Sequence, residues 1–169
     1  MRRPALTVSD GGGAARTRLT GMAHGQEKLI EALRDLAATC RDAEEGYNKA
    51  AKGVHNDDSR TIFDKYSQER AQFARELDQH VTRLGGEPGE AGHGGGVLRR
   101  GWVDLEQRIR PKEDREIIEN CADGEEGSLS HYARALGLPL DEEVRRTLRQ
   151  QEAAIRAAVE HLRGVATRR

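Results

Sequence analysis

The stretch QEKLIEALRDLAATCRDAEEGYNKAAKGV, residues 26–54, decides the fold. Its apolar positions are Leu29, Leu33, Leu36, Cys40, Ala43, Tyr47, Ala50 and Val54, and the steps between them alternate between four and three. That rhythm is the seam of a helix packed in a bundle, because residues three and four apart share one face. Asn56-Asp57-Asp58-Ser59 interrupts the seam and offers N-cap side chains to a second helix. That helix, about 59–84, carries Ile62, Tyr66, Phe73, Leu77 and Leu84, and it stops at Gly85-Gly86. Glycine suits the stop because it enters the left-handed conformation without steric cost.

Beyond that stop the pattern changes. Residues 85–112 begin as GGEPGEAGHGGG and continue with Val97, Leu98, Trp102, Leu105 and Ile109, a short amphipathic helix that ends before Pro111. Trp102 reads as its anchor on the bundle. A third helix, about 113–136, turns Ile117, Ile118, Cys121, Leu129, Tyr132 and Leu136 inward. Gly137 to Leu140 form a short turn, Asp141 is the next N-cap, and a fourth helix over 141–165 carries Val144, Leu148, Ile155, Ala158, Leu162 and Val165. The connections between the first and second helices and between the third and fourth are short, so each of these two pairs forms an antiparallel hairpin. The central crossover is long enough to travel back along the bundle at ~1.5 Å per helical residue. The expectation is therefore all-α: a four-helix bundle over 24–166, two αα-hairpins joined by a long crossover, with up-down-down-up connectivity. Residues 1–23 lack periodicity and read as a disordered leader.

Composition narrows the function classes. The chain has 169 residues, 36% hydrophobic and 34% charged, with a formal net charge of -1, which excludes a strongly basic nucleic-acid binder. No apolar run reaches the ~18 residues of a membrane span. Arginines near the start lack a following apolar region, so secretion is not expected, and two cysteines cannot make a disulfide scaffold. A reducing, cytoplasmic setting follows. The 92–96 string Gly-His-Gly-Gly-Gly has neither a Gly-x-Ser-x-Gly elbow nor a Gly-Lys-Ser/Thr ending, and reads as a linker.

One motif recurs. Cys40-Arg41-Asp42-Ala43-Glu44-Glu45-Gly46 in the first helix matches Cys121-Ala122-Asp123-Gly124-Glu125-Glu126-Gly127 in the third at Cys, Asp, both Glu and Gly. Duplication of one hairpin explains the match more simply than chance. At 100° per residue Glu44 and Glu125 fall on the apolar faces, and Glu69 and Gln151 fall on the seams of the second and fourth helices. Each stripe is thus broken once, near mid-length, by a carboxylate or amide. A lone buried carboxylate would cost several kcal/mol or take up a proton. Four such groups converging could satisfy one another or surround a cation.

Ferritin-like di-metal bundles have this arrangement, with a Glu from two helices and Glu-x-x-His from the other two. The segments CRDAEEGY (40–47), SQERAQFAREL (67–77), RLGGEP (83–88), LRRGWVDL (98–105) and CADGEEG (121–127) extend the likeness over nearly all of the chain outside the leader. Together they resemble a bacterial ferritin-like four-helix-bundle family known only as a domain of unknown function. The resemblance implies a bundle fold, a bacterial cytosolic protein and association with stress, and it brings no reaction.

The ferritin pattern is incomplete here. Gln72 stands three residues after Glu69, and Ala154 three after Gln151, so neither Glu-x-x-His exists. His80 is on the inner face but ~16 Å along the axis from Glu69, while His131 and His161 lie on flanks. Glu44, Glu69, Glu125 and Gln151 are the candidate layer. One reading is a hydrogen-bonded, partly protonated polar core without cofactor. The other is a hard divalent cation, iron included, held by oxygen ligands. Function divides likewise: a non-enzymatic bundle acting as a homodimer or on a protein partner, or an iron-handling or oxidase protein. Cys40 and Cys121, about 12 Å apart along antiparallel helices, are expected as reduced, buried thiols.

Overall fold

The computed structural model describes residues 12–89 and 113–168, with side chains from Thr20 onward. Four helices account for these residues, α1 (Gly12–Gly53), α2 (Asp57–Arg83), α3 (Asp114–Leu136) and α4 (Glu142–Thr167), and there is no strand among them. Residues 1–11, the linker string 92–96, Trp102 and the expected crossover helix lie outside the described residues. α1 starts well before Gln26, the expected boundary, and takes in residues 12–23 that read as leader. Every residue from Thr20 to Lys28 is exposed, so this end carries no apolar face for periodicity to register.

Local chemistry sets the other helix ends. Asn56 Oδ1 accepts from the Ser59 amide at 3.0 Å, and Asp141 Oδ1 from the Val144 amide at 2.8 Å, each satisfying a donor that the helix leaves orphaned. α2 ends in a Schellman turn: the Gly86 amide donates to Val81 O and the Gly85 amide to Thr82 O, both at 3.0 Å, with Gly85 at φ 81°. The second glycine is needed for space. A Cβ on Gly86 would come within 2.7 Å of Ile30 Cγ2.

Cross-helix contacts give the running directions. Gln26 reaches Leu84, Arg41 pairs with Asp78 and Arg60 reaches Val54, so α1 and α2 are antiparallel. Cys40 meets Tyr132, Tyr47 meets Glu125 and His55 meets Asp114, so α1 and α3 are antiparallel as well. Arg163 on α4 reaches Asp123 while Gln151 reaches Tyr132, giving the same relation between α3 and α4. The packing of α1 on α2 and of α3 on α4 is extensive; α2 and α4 approach closely at only a few positions. Asp114 ties the two halves at one end, accepting from the His55 and Asn56 amides at 2.9 Å each. The core forms two apolar clusters. One holds Phe63, Ile117, Ile118 and Leu162, and the other Leu33, Leu36, Leu77, Leu148 and Ile155.

Candidate functional site

Between those clusters the helices turn polar groups inward. α2 contributes Arg70, 1% exposed, between Phe63 and Tyr66 on one side and Ala74 and Leu77 on the other. α3 contributes Glu125, fully buried, and α4 contributes Gln151. Arg70 Nε donates to Glu125 Oε1 at 2.8 Å, its Nη2 lies 2.7 Å from the same oxygen in ion-pair contact, and Nη1 donates to Glu69 Oε1 at 2.5 Å. Tyr47 OH donates to Glu125 Oε1 at 2.7 Å. The guanidinium also lies over the rings of Tyr66 and Phe73, 5.8 and 5.2 Å from their centroids. Glu125 Oε2 is buried and has no hydrogen-bond partner among the described residues.

A second chain of polar contacts runs alongside. Tyr132 OH donates to Gln151 Oε1 at 2.8 Å, which leaves the phenol oxygen to accept from the Cys40 thiol at 3.3 Å. Gln151 Nε2 donates onward to Glu76 Oε2 at 2.9 Å. The layer thus gathers an arginine, the buried carboxylate of Glu125, the half-buried carboxylates of Glu69 and Glu76, and all three tyrosines of the chain. Arg70, Glu125, Gln151, Tyr47, Tyr132 and Cys40 all sit at or below 1% exposure.

Burial dominates the protonation equilibria. It raises Glu125 above the ordinary carboxylate range against the opposing pull of Arg70 and of the Tyr47 hydrogen bond. Burial works against the Arg70 charge, but Glu125, Tyr47 and Glu69 outweigh it, and Arg70 is held as a cation above its usual value. Burial pushes the Cys40 thiol up to about 12 and Cys121 well above a normal thiol. Both cysteines are free and buried.

Of the four expected layer residues, Glu69 and Glu125 do come together, and the group between them is Arg70. Gln151 belongs to the neighbouring Tyr132 chain. Glu44 is half-buried and enters through its backbone, its carbonyl accepting from Ser67 Oγ at 3.3 Å. The reason is register: α1 meets α3 with Tyr47 opposite Glu125, which sets Glu44 nearly one turn away from that carboxylate. Among the described residues no three His, Cys, Asp or Glu side chains gather where they could hold a metal ion. His80 is buried on Thr147, and His161 meets Tyr66 OH at 2.7 Å. His131 lies beside Arg134.

Sequence reading missed Arg70, Tyr47 and Tyr132 as members of the layer. One signal for Arg70 was present: Cys40 and Cys121, Glu44 and Glu125, and Arg70 and Gln151 are all separated by the same number of positions. Extending the spacing of the repeated motif to α2 and α4 would have selected Arg70 rather than its neighbour Glu69.

An all-helical bundle whose core is crossed by a buried arginine–carboxylate layer is the class of protein that these observations define. The chain belongs to the family described as a domain of unknown function (DUF2383), whose model matches residues 28–138. No curated protein matches it. Among the described residues no helix is long and apolar enough to cross a membrane.

Proposed function

We propose that this chain is a ferritin-like bundle, built from a duplicated αα-hairpin, in which an arginine takes the place of a metal centre. Its role is association rather than catalysis, as a homodimer or on a protein partner, in the cytoplasmic, stress-associated bacterial setting that the family likeness implies. The carrying observation is the Arg70 guanidinium lodged between Glu125 and Glu69. A fixed cation supplies the charge that two carboxylates need. It also occupies the space in which a divalent ion would meet them. The residues present therefore do not fit a metal. Both thiols are buried and strongly disfavoured as thiolates, so neither is suited to be a nucleophile.

The competing iron-handling reading is tested directly on purified full-length protein by elemental analysis and by iron titration under oxygen. We expect no stoichiometric metal and no oxidation above background. One or two equivalents of metal, with an oxidation rate abolished by Glu69→Ala, would overturn the proposal. Sedimentation across a concentration series reads out the homodimer.

A further inference from the structure

The side of the bundle between α2 and α4 is held differently from the rest. The two helices approach closely at few positions, and four polar rungs join them. Tyr66 meets His161, Glu76 meets Gln151, His80 Nε2 meets Thr147 Oγ1 at 2.9 Å, and Arg83 pairs with Glu143. Behind these rungs lie Gln151, Tyr132 and Cys40 in one chain and Arg70 in the other.

At the His80 rung the hydrogen bonds determine the tautomer. Arg83 Nη2 lies 2.8 Å from His80 Nδ1, and a guanidinium can only donate, so Nδ1 must present its lone pair. The proton is then on Nε2, where it is donated to Thr147. A second proton has only Nδ1 to occupy, and there it would face the guanidinium N–H. Arg83 would have to leave, and Arg83 is also the group that holds the first turn of α4 through Glu143. α2 itself would stay on α1, fastened by Arg41 to Asp78 and, through the segment that follows it, by Gln26 to Leu84 and Arg34 to Glu87.

We infer that His80 is an acid-sensitive latch: its protonation releases the N-terminal half of α4 from α2 and opens the Gln151–Tyr132–Cys40 chain to solvent. The charged groups acting on His80 are Arg83 and Glu76 from its own helix and Asp141 and Glu143 from the start of α4. Burial first, then Arg83, lower its pKa from the ordinary 6.5, and the three carboxylates only partly oppose them. The latched state binds fewer protons than the open one, so opening becomes easier as pH falls from about 6.5 toward the latched-state pKa, and is indifferent to pH above that window.

Amide hydrogen exchange of the full chain at pH 7.5 and pH 5.0, corrected for intrinsic rates, tests the latch. Residues 142–151 are expected to lose protection at least tenfold on acidification, while α1 near Leu36 is unchanged. His80→Gln keeps a donor and an acceptor but cannot be charged, and it should abolish the loss; His131→Gln should leave it intact. Uniform loss over all four helices, or a loss that persists in His80→Gln, overturns the inference. Should His80→Gln not fold, imidazole nitrogen shifts of the unmodified protein decide. They must show the neutral Nε2–H form and a titration midpoint equal to that of the exchange; an Nδ1–H form or unequal midpoints overturns it.

Discussion

Replacing Arg70 with methionine probes the centre of the fold. The substitution keeps most of the stem and its packing on Phe73 while removing the donors to Glu125 and to Glu69. Glu125 would remain fully buried with only Tyr47 donating to it. Breaking a buried pair by deleting one partner costs ~3–5 kcal/mol, because the uncompensated charge stays behind. Replacing both partners is a different case, since the desolvation of two ions roughly cancels their attraction; such replacements run from neutral to ~1–4 kcal/mol stabilising. Arg70→Met should therefore lower the urea-derived stability by ~3–5 kcal/mol at pH 8, or about 6–20 °C in Tm at 2–4 °C per kcal/mol. Arg70→Met with Glu125→Leu should recover most of that. The deficit of the single variant should also depend on pH. Without Arg70 the folded-state pKa of Glu125 rises further, so the folded variant holds a proton that the unfolded chain releases above about 4.5. Its stability then falls as pH rises through that window, and the deficit is smaller at pH 5 than at pH 8. Circular dichroism during urea titration at the two pH values measures all three quantities. A single variant within 1 kcal/mol of the parent, or a double variant no better than the single, would refute the view that the pair is held by mutual charge compensation.

Two further outcomes follow from groups outside the layer. Asp114→Ala removes the acceptor of the His55 and Asn56 amides and should cost ~1–2 kcal/mol. Although burial opposes it, those two amides hold the Asp114 pKa below 3.8, so its contribution is full at neutral pH and fades as acid carries the solution through the folded-state value; the difference between parent and variant should vanish there in thermal melts. Cys40 and Cys121 should resist an aromatic disulfide reagent at pH 8 in the native protein and react as two equivalents in denaturant. A rapid native-state burst of one equivalent would show that the burial of one thiol is transient.

Much of this architecture was legible because its determinants are local. The four-three seam of α1 needs only spacing, Gly85 and Gly86 mark a stop because one takes a positive φ and the other has no room for a side chain, and Asp141 caps the helix that it precedes. The polar layer was only half legible. A helical wheel places Glu44 and Glu125 on inner faces but says nothing of how far one helix slides along another, and that slide puts Tyr47, not Glu44, opposite Glu125. Arg70 was harder to see because arginine is almost never fully buried unless paired, and its partner is on a helix remote in sequence. Tyr47 and Tyr132 look apolar in a periodicity count, yet it is their hydroxyl groups that complete the layer. The early start of α1 has no seam to reveal it.

A bundle centred on the Arg70 side chain has a core cation that is covalently attached to its own backbone. Dilution, chelators and scarcity of a free ion leave it in place, so the folded bundle has no ion-free counterpart and its centre needs no separate loading step.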